Sequence, residues 1–334
     1  MKRFGSRGFP YHRGRRLRSL KNLREILSES QLSVNNLVMP YFVREDNNNE
    51  LVDKSNGLKR LTVFELTKEI EKIVKNGVKT VALFPIVSKE KKTENAKESY
   101  NEDNLICRAL KEINAEFPNL IVICDIALDA YTLSGHDGVI NKDGKIDNDA
   151  TLDILSKMSL NFASSGCKII APSDMMDGRI KVIRESLESN NFSETCILSY
   201  SSKFCSNFYS PFREVLGSKK NLGDSNKETY QIDFRNSREA LKESLEDIYE
   251  GCDILMVKPA GYYLDIIKEI KDNSLIPVAA YQVSGEYCMI KAAADKNLLD
   301  LEKVVIESLT CIKRSGADLI FSYFSDIVAE WIKR

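Results

Sequence analysis

Histidine is scarce in this chain: His12 and His136 are the only two. Neither has a second imidazole near it, so the sequence offers no two-histidine metal site and little basis for a Ser-His-Asp triad. Long apolar runs are missing too. No stretch reaches about 18 apolar residues, which excludes a membrane-spanning helix, and no basic start leads into an apolar signal core. The eight cysteines, at 107, 124, 167, 196, 205, 252, 288 and 311, include no CxxC pair and mostly lie in or beside apolar runs. In a chain of this length they do not describe a disulfide framework. Net charge is also small: 48 basic against 49 acidic residues leave −1, which argues against a chain built as a whole to coat nucleic acid or an anionic membrane. The expectation is a soluble, cytoplasmic protein of a reducing compartment, with no nucleic-acid or membrane partner, whose chemistry uses groups other than imidazole.

What is present begins with 43% apolar residues in 334, enough for a sizeable core in one large domain with appendages or in two modest ones. The first 24 residues hold nine Lys or Arg and no acid. A docking arm on a partner subunit is preferred to a nucleic-acid arm, because the chain has no other basic stripe; a transit peptide is the remaining alternative. From about residue 37, eight short β-branched runs alternate with segments of helical period: Leu37–Val43, Thr80–Ile86, Leu120–Ala127, Cys167–Ser173, Thr195–Ser201, Cys252–Pro259, Pro277–Ser284 and Leu319–Ser325. Most are too apolar for strands with one face in water, so buried parallel strands fit. Thr62 and Glu65 make a capping box before the stripe Leu66, Ile70, Ile73 and Val74, and Gly77 stands where a helix should stop. The count predicts an α/β fold, a (β/α)8 barrel, over a doubly wound open sheet. A barrel of about 250 residues leaves roughly 80 for an N-terminal arm over 1–34 and for long polar loops near 87–103, 128–150 and 204–235, on the face where barrel chemistry sits.

Two lysines stand out. The sixth run, CDILMVKPA, ends in Lys258 before a proline that stops the strand, and the fifth, TCILSYSSKF, places Lys203 just past the end of its strand. Neighbouring strands lie about 4.8 Å apart, so the two ammonium groups can approach one another. Like charge and an apolar wall both lower a lysine pKa and release the neutral amine that attacks a carbonyl. One lysine at a strand end is ordinarily a solvated rim charge; two on adjacent strands weigh against that. The third run leads into CDIALDAYTLSGHDG, with Asp125, Asp129, His136 and Asp137, a set that suits a hard cation such as magnesium or an ordinary polar turn. Asp174 and Asp177 in APSDMMDGR can cap the helix that follows. Arg213 in YSPFRE, with Lys227 and Gln231 in GDSNKETYQID, suits a carboxylate substrate or plain surface charge. Ser284 and Tyr323, from AYQVSGEY and IFSYFSD, offer hydroxyls to the same mouth.

In chain order, APSDMMDGR, SYSSKF, YSPFRE, LMVKPAGYYLD, AYQVSGEY and GADLIFSYF resemble the porphobilinogen synthase (5-aminolevulinate dehydratase) family, from roughly Arg15 to the C-terminus. The resemblance implies a TIM-type barrel over 35–334, an arm that wraps a neighbouring subunit, and a homo-octamer. It also implies a lyase that condenses two molecules of 5-aminolevulinate to porphobilinogen with loss of two waters, an early step of tetrapyrrole and haem building. By position, Lys258 matches the lysine holding the first substrate as a Schiff base and Lys203 the lysine holding the second. Ser284 and Tyr323 match the holders of the first carboxylate; Arg213, and less closely Lys227, match those of the second. GDSNKETYQ is two residues longer than the common form.

The resemblance speaks to metals as well. Zinc-dependent members carry three cysteines after the third strand, where this chain has Ala127, Asp129 and Asp137, so zinc is not expected. Asp129 and Asp137 are left as candidate ligands of an active-site metal. Glu243 in NSREALKES matches a glutamate at a regulatory magnesium site between subunits. Two rival readings are another Schiff-base lyase or aldolase on this fold, which needs one lysine, and a non-catalytic barrel scaffold, which would have lost a lysine or a carboxylate holder.

Overall fold

Every residue of Thr80–Ile86 is buried, as a strand must be when it has helices on one side and a packed barrel interior on the other. The computed structural model describes residues 9–45, 58–216 and 226–333. Its strands are β1 (Leu37–Arg44), β2 (Arg60–Leu61), β3 (Thr80–Ile86), β4 (Ile121–Ile126), β5 (Ile169–Pro172), β6 (Cys196–Lys203), β7 (Ile254–Lys258), β8 (Val278–Gln282) and β9 (Leu319–Ser322). All pairings are parallel, and β1 meets β9 at Leu37 and Val38, so β1 and β3 to β9 close an eight-stranded β/α barrel. The short β2 is the element the sequence pattern missed. It pairs with Phe42 and Val43, along the edge of β1 that the four-residue β9 does not reach.

The helices are α1 (Lys21–Ile26), α2 (Val63–Lys75), α3 (Leu105–Glu116), α4 (Asn148–Ser164), α5 (Arg179–Ser189), α6 (Ser210–Leu216), α7 (Ser237–Glu250), α8 (Leu264–Asn273), α9 (Ser284–Asp295), α10 (Leu301–Arg314) and α11 (Ser325–Lys333). The Thr62–Glu65 capping box starts α2, and Gly251 ends α7 with φ 104°, a left-handed stop open to glycine. Asp174 and Asp177 do not cap α5. That place is taken by Gly178, while the Asp174 carboxylate accepts from the Met176 amide at 2.7 Å in the turn before it.

A buried ion pair braces α5, β6 and α7. The Arg179 guanidinium donates to both Asp247 oxygens, at 3.2 and 3.1 Å, and to Ser199 Oγ at 3.1 Å, and Ser199 in turn donates to Asp247. Arg179 and Asp247 are only 3% and 4% exposed, so each charge depends on the other for its solvation.

Of the arm, the described residues from Phe9 to Glu29 are almost all exposed, with one 3₁₀ turn (Gly14–Arg18) and α1. Phe9, Leu17, Leu20 and Ile26 are each more than half exposed. Asn36 makes a tie to the barrel, donating to the Asp318 carbonyl at 2.9 Å. Of the expected arm and lid, residues 1–8 and 217–225 lie outside the described residues. Among the described residues no helix is long and apolar enough to cross a membrane.

Candidate active site

Lys203 and Lys258 are Cα partners at the final pair of the β6–β7 ladder. Lys203 is the last residue of its strand rather than the first beyond it. Strict alternation would put Tyr200 and Lys203 on opposite faces of β6, but the register shifts between Ser199 and Ser202, and such an irregularity re-aims the side chains beyond it. Both then turn to the cavity: the Tyr200 ring centre lies 5.0 Å from Lys258 Nζ, and Lys203 lines the same space.

Lys258 sits in an aromatic cage, with the rings of Tyr281, Phe212 and Tyr209 at 4.5, 5.1 and 5.4 Å from its Nζ. Ring faces favour the ammonium by about 0.5–2 kcal/mol. Burial and the neighbouring Lys203 charge outweigh them and bring the Lys258 pKa down to about 7. Asp125 moves to meet it. Burial lifts its pKa to about 7 against the pull of Lys258 and Lys203, and its Oδ1 has no hydrogen-bond partner. Near neutrality the two groups therefore share protons rather than standing as a fixed ion pair.

Asp129 and Asp137 converge on a protein cation. Lys227 Nζ lies 3.1 Å from Asp129 Oδ2 and 3.0 Å from Asp137 Oδ2, and Lys203 is 3.8 Å from Asp137 Oδ1. Burial works to raise the Asp137 pKa, yet Lys203 and Lys227 overcome it and hold the carboxylate below its ordinary range. The Lys203 ammonium also donates to the Ser173 carbonyl. Behind this group, the Asp137 amide donates to Tyr230 Oη, which lies 3.0 Å from His136 Nδ1. His136 thus packs the loop; burial, then Lys227, push its pKa down.

The remaining candidates divide. Arg213 and Gln231 line the cavity with both lysines, Lys227, Asp125, Asp129 and Asp137. Arg213 lies 5.7 Å from the Tyr209 ring centre, and the buried Gln231 Oε1 is unpartnered. Ser284 and Tyr323 stand one residue back from Lys258: Ser284 Oγ accepts from the Phe212 amide at 2.9 Å, and Tyr323 Oη is 3.1 Å from Tyr281 Oη. Glu243 is elsewhere, in a cleft it shares with Asp177, Glu239 and His136. The void among the catalytic-face residues is only about 30 Å³, room for a water or two. Anything larger needs some of the lining side chains, Phe212 and Arg213 of α6 among them, to shift.

A closed β/α barrel with a buried amine of lowered pKa at the C-terminal ends of its strands defines a class: barrel enzymes that act on carbonyl compounds through lysine. Residues 11–331 match the family model described as delta-aminolevulinic acid dehydratase. The chain belongs to the delta-aminolevulinic acid dehydratase family, whose members are lyases. It is 43% identical over 327 residues to the Helicobacter pylori enzyme of that name, covering 97% of this chain and 99% of the relative. The Methanothermus sociabilis enzyme is 46% identical over 97% of this chain and 99% of its own length. A crystal structure from Toxoplasma gondii, a delta-aminolevulinic acid dehydratase (porphobilinogen synthase) in complex with its reaction product porphobilinogen, superposes with a TM-score of 0.93 at 41% identity, over 96% of this chain and 91% of that one.

Proposed function

We propose that this chain condenses two molecules of 5-aminolevulinate to porphobilinogen with loss of two waters. The observation that carries the reading is the pairing of Lys203 with Lys258 across adjacent strands over one buried cavity. Lys258 supplies a neutral amine near pH 7. It adds to the ketone of the first substrate, the carbinolamine loses water, and the resulting imine makes its carbon electrophilic and the neighbouring C–H acidic. Asp125, protonated over much of the same pH range, is the group that gives a proton to the departing oxygen. Ser284 and Tyr323 receive the first carboxylate. Lys203 holds the second substrate, with Arg213, Lys227 and Gln231 around its carboxylate. For Lys227 this means leaving Asp129 and Asp137.

Cyanoborohydride with 5-aminolevulinate is expected to leave one reduced adduct, the substrate mass less its ketone oxygen, on Lys258 and, at saturation, a second on Lys203, read by intact mass and peptide mapping. Absence of any adduct would overturn the mechanism.

Metal use follows from the donor atoms. Ala127, Asp129 and Asp137 present no thiol, and Cys124 is fully buried in β4, so the set does not fit zinc. Among the described residues no three His, Cys, Asp or Glu side chains converge on a metal position. In this structure the Lys227 ammonium stands between Asp129 and Asp137, where an active-site cation would bind. Glu243 fits magnesium better. Burial, then the nearby Glu246 charge, raise its pKa, and a hard ion that keeps most of its waters relieves that strain through one carboxylate. Magnesium is expected to raise activity two-fold or more by the order of effect of a weak regulatory ion, zinc to leave it unchanged, and Glu243→Gln to lose the response. Stimulation by zinc with indifference to magnesium refutes this assignment.

The exposed apolar side chains of the arm support docking on a second copy, in a homo-oligomer that the family resemblance makes an octamer. Light scattering tests this. The eight cysteines are all free thiols.

A further inference from the structure

We propose that Glu286 is a positioning residue that fixes the separation between the Lys258 amine and the Ser284 hydroxyl, and so sets the chain length of the keto acid the site accepts. The inference rests on the reading above, in which these two groups hold opposite ends of one substrate.

The β7–β8 ladder runs through Leu255, Met256 and Val257, the last paired with Ala280, and stops there. Lys258 on β7 and Ser284 at the start of α9 both lie beyond that pair, where the sheet no longer ties one to the other. Glu286 takes over. Its Oε2 accepts from the Val283 amide at 2.7 Å, the residue immediately before Ser284. Its Oε1 accepts from the Gly261 amide at 2.6 Å, and Oε2 is 3.5 Å from the Ala260 amide, both in the segment that follows Lys258 and Pro259. One carboxylate thus clamps the end of the lysine strand to the start of the serine helix.

A glutamate in the first turn of a helix usually closes a capping box at the surface. This one is 6% exposed and, among the described residues, pairs with no cation. Capping alone does not require that burial; bridging two elements does. The fit is close on the far side as well: a Cβ on Gly261 would lie 2.5 Å from Glu286 Oε1. The Lys258 carbonyl is held independently, accepting from the Phe204 amide at 2.9 Å and Tyr209 Oη at 3.0 Å. Loss of Glu286 therefore releases the spacing between the two groups without releasing the lysine.

The test compares wild type with Glu286→Gln, which keeps the volume but loses an acceptor, and Gly261→Ala, which keeps the carboxylate and intrudes on it. Each is titrated with 4-oxopentanoate, 5-oxohexanoate and the carboxylate-free 2-pentanone, and cyanoborohydride adducts on Lys258 are counted by mass. In both variants the half-saturating 4-oxopentanoate concentration should rise about tenfold to a hundredfold, as for misplacement by an ångström or less. The preference over 5-oxohexanoate should shrink, and trapping of 2-pentanone, which engages only the amine, should stay as in wild type. Wild type that forms no Lys258 adduct with 4-oxopentanoate sinks the underlying reading. Wild type that forms it, with variants of unchanged preference, sinks the role of Glu286. So does equal loss of 2-pentanone trapping, which marks a merely structural residue. Should Glu286→Gln not fold, Gly261→Ala decides alone.

Discussion

Lys258→Met is expected to cut turnover by about 10³–10⁶-fold, the scale seen when a covalent nucleophile is removed, while leaving the fold intact, since methionine fills the aromatic cage. The stronger check is the pH dependence in wild type. Burial and Lys203 lower the Lys258 pKa to about 7, so the reactive neutral fraction grows as pH rises through 7. Single-turnover adduct formation should rise toward about pH 7 as Lys258 loses its proton and fall above it as Asp125 loses its own, where an unperturbed lysine would keep climbing toward about 10.4. A rate still rising steeply at pH 9 would show that the desolvation argument fails. Lys203→Met tests its second cause: removing the neighbouring charge should move the Lys258 midpoint upward.

Arg179→Met should be the most destabilising single change outside the catalytic mouth. It leaves Asp247 charged, 4% exposed and without its guanidinium, and it strips Ser199 Oγ of a donor. Breaking a buried pair from one side costs about 3–5 kcal/mol, read as a lower urea midpoint at unchanged slope. The double variant Arg179→Met with Asp247→Leu should recover only part of the loss: the Asp247 charge goes with its partner, while the buried Asp174, 3.9 Å from the guanidinium in wild type, still lacks its cation. If the single variant unfolds at the wild-type midpoint, the brace contributes nothing net.

The barrel was legible because its signal is periodic. Eight apolar runs at β/α spacing map onto the eight strands that close the barrel, and the Thr62–Glu65 box and Gly77 mark the real ends of α2. The two-residue β2 has no period to detect. Within the site, Lys203 and Lys258 could be found because a cation ending an apolar run is conspicuous. Tyr200 and Tyr281 could not: both read as ordinary strand aromatics, and the face Tyr200 shares with Lys203 depends on a register shift that alternation does not reveal. The carboxylates show the other limit. Asp125, Asp129 and Asp137 are alike in sequence, yet burial brings the Asp125 pKa up to about 7 against the pull of Lys258, while Lys203 and Lys227 hold Asp137 below its ordinary range. Glu286 was invisible for a related reason, since its partners are backbone amides whose positions only the fold supplies.

The roughly 30 Å³ void at the barrel mouth also bears on how fast anything can bind. A ligand larger than a water or two needs lining side chains to shift before it can seat, so association is expected to fall below the usual 10⁵–10⁷ M⁻¹s⁻¹ range by about the fraction of time the mouth stands open. Release through the same mouth would be slowed in the same proportion, which makes even modest affinity compatible with a long residence time.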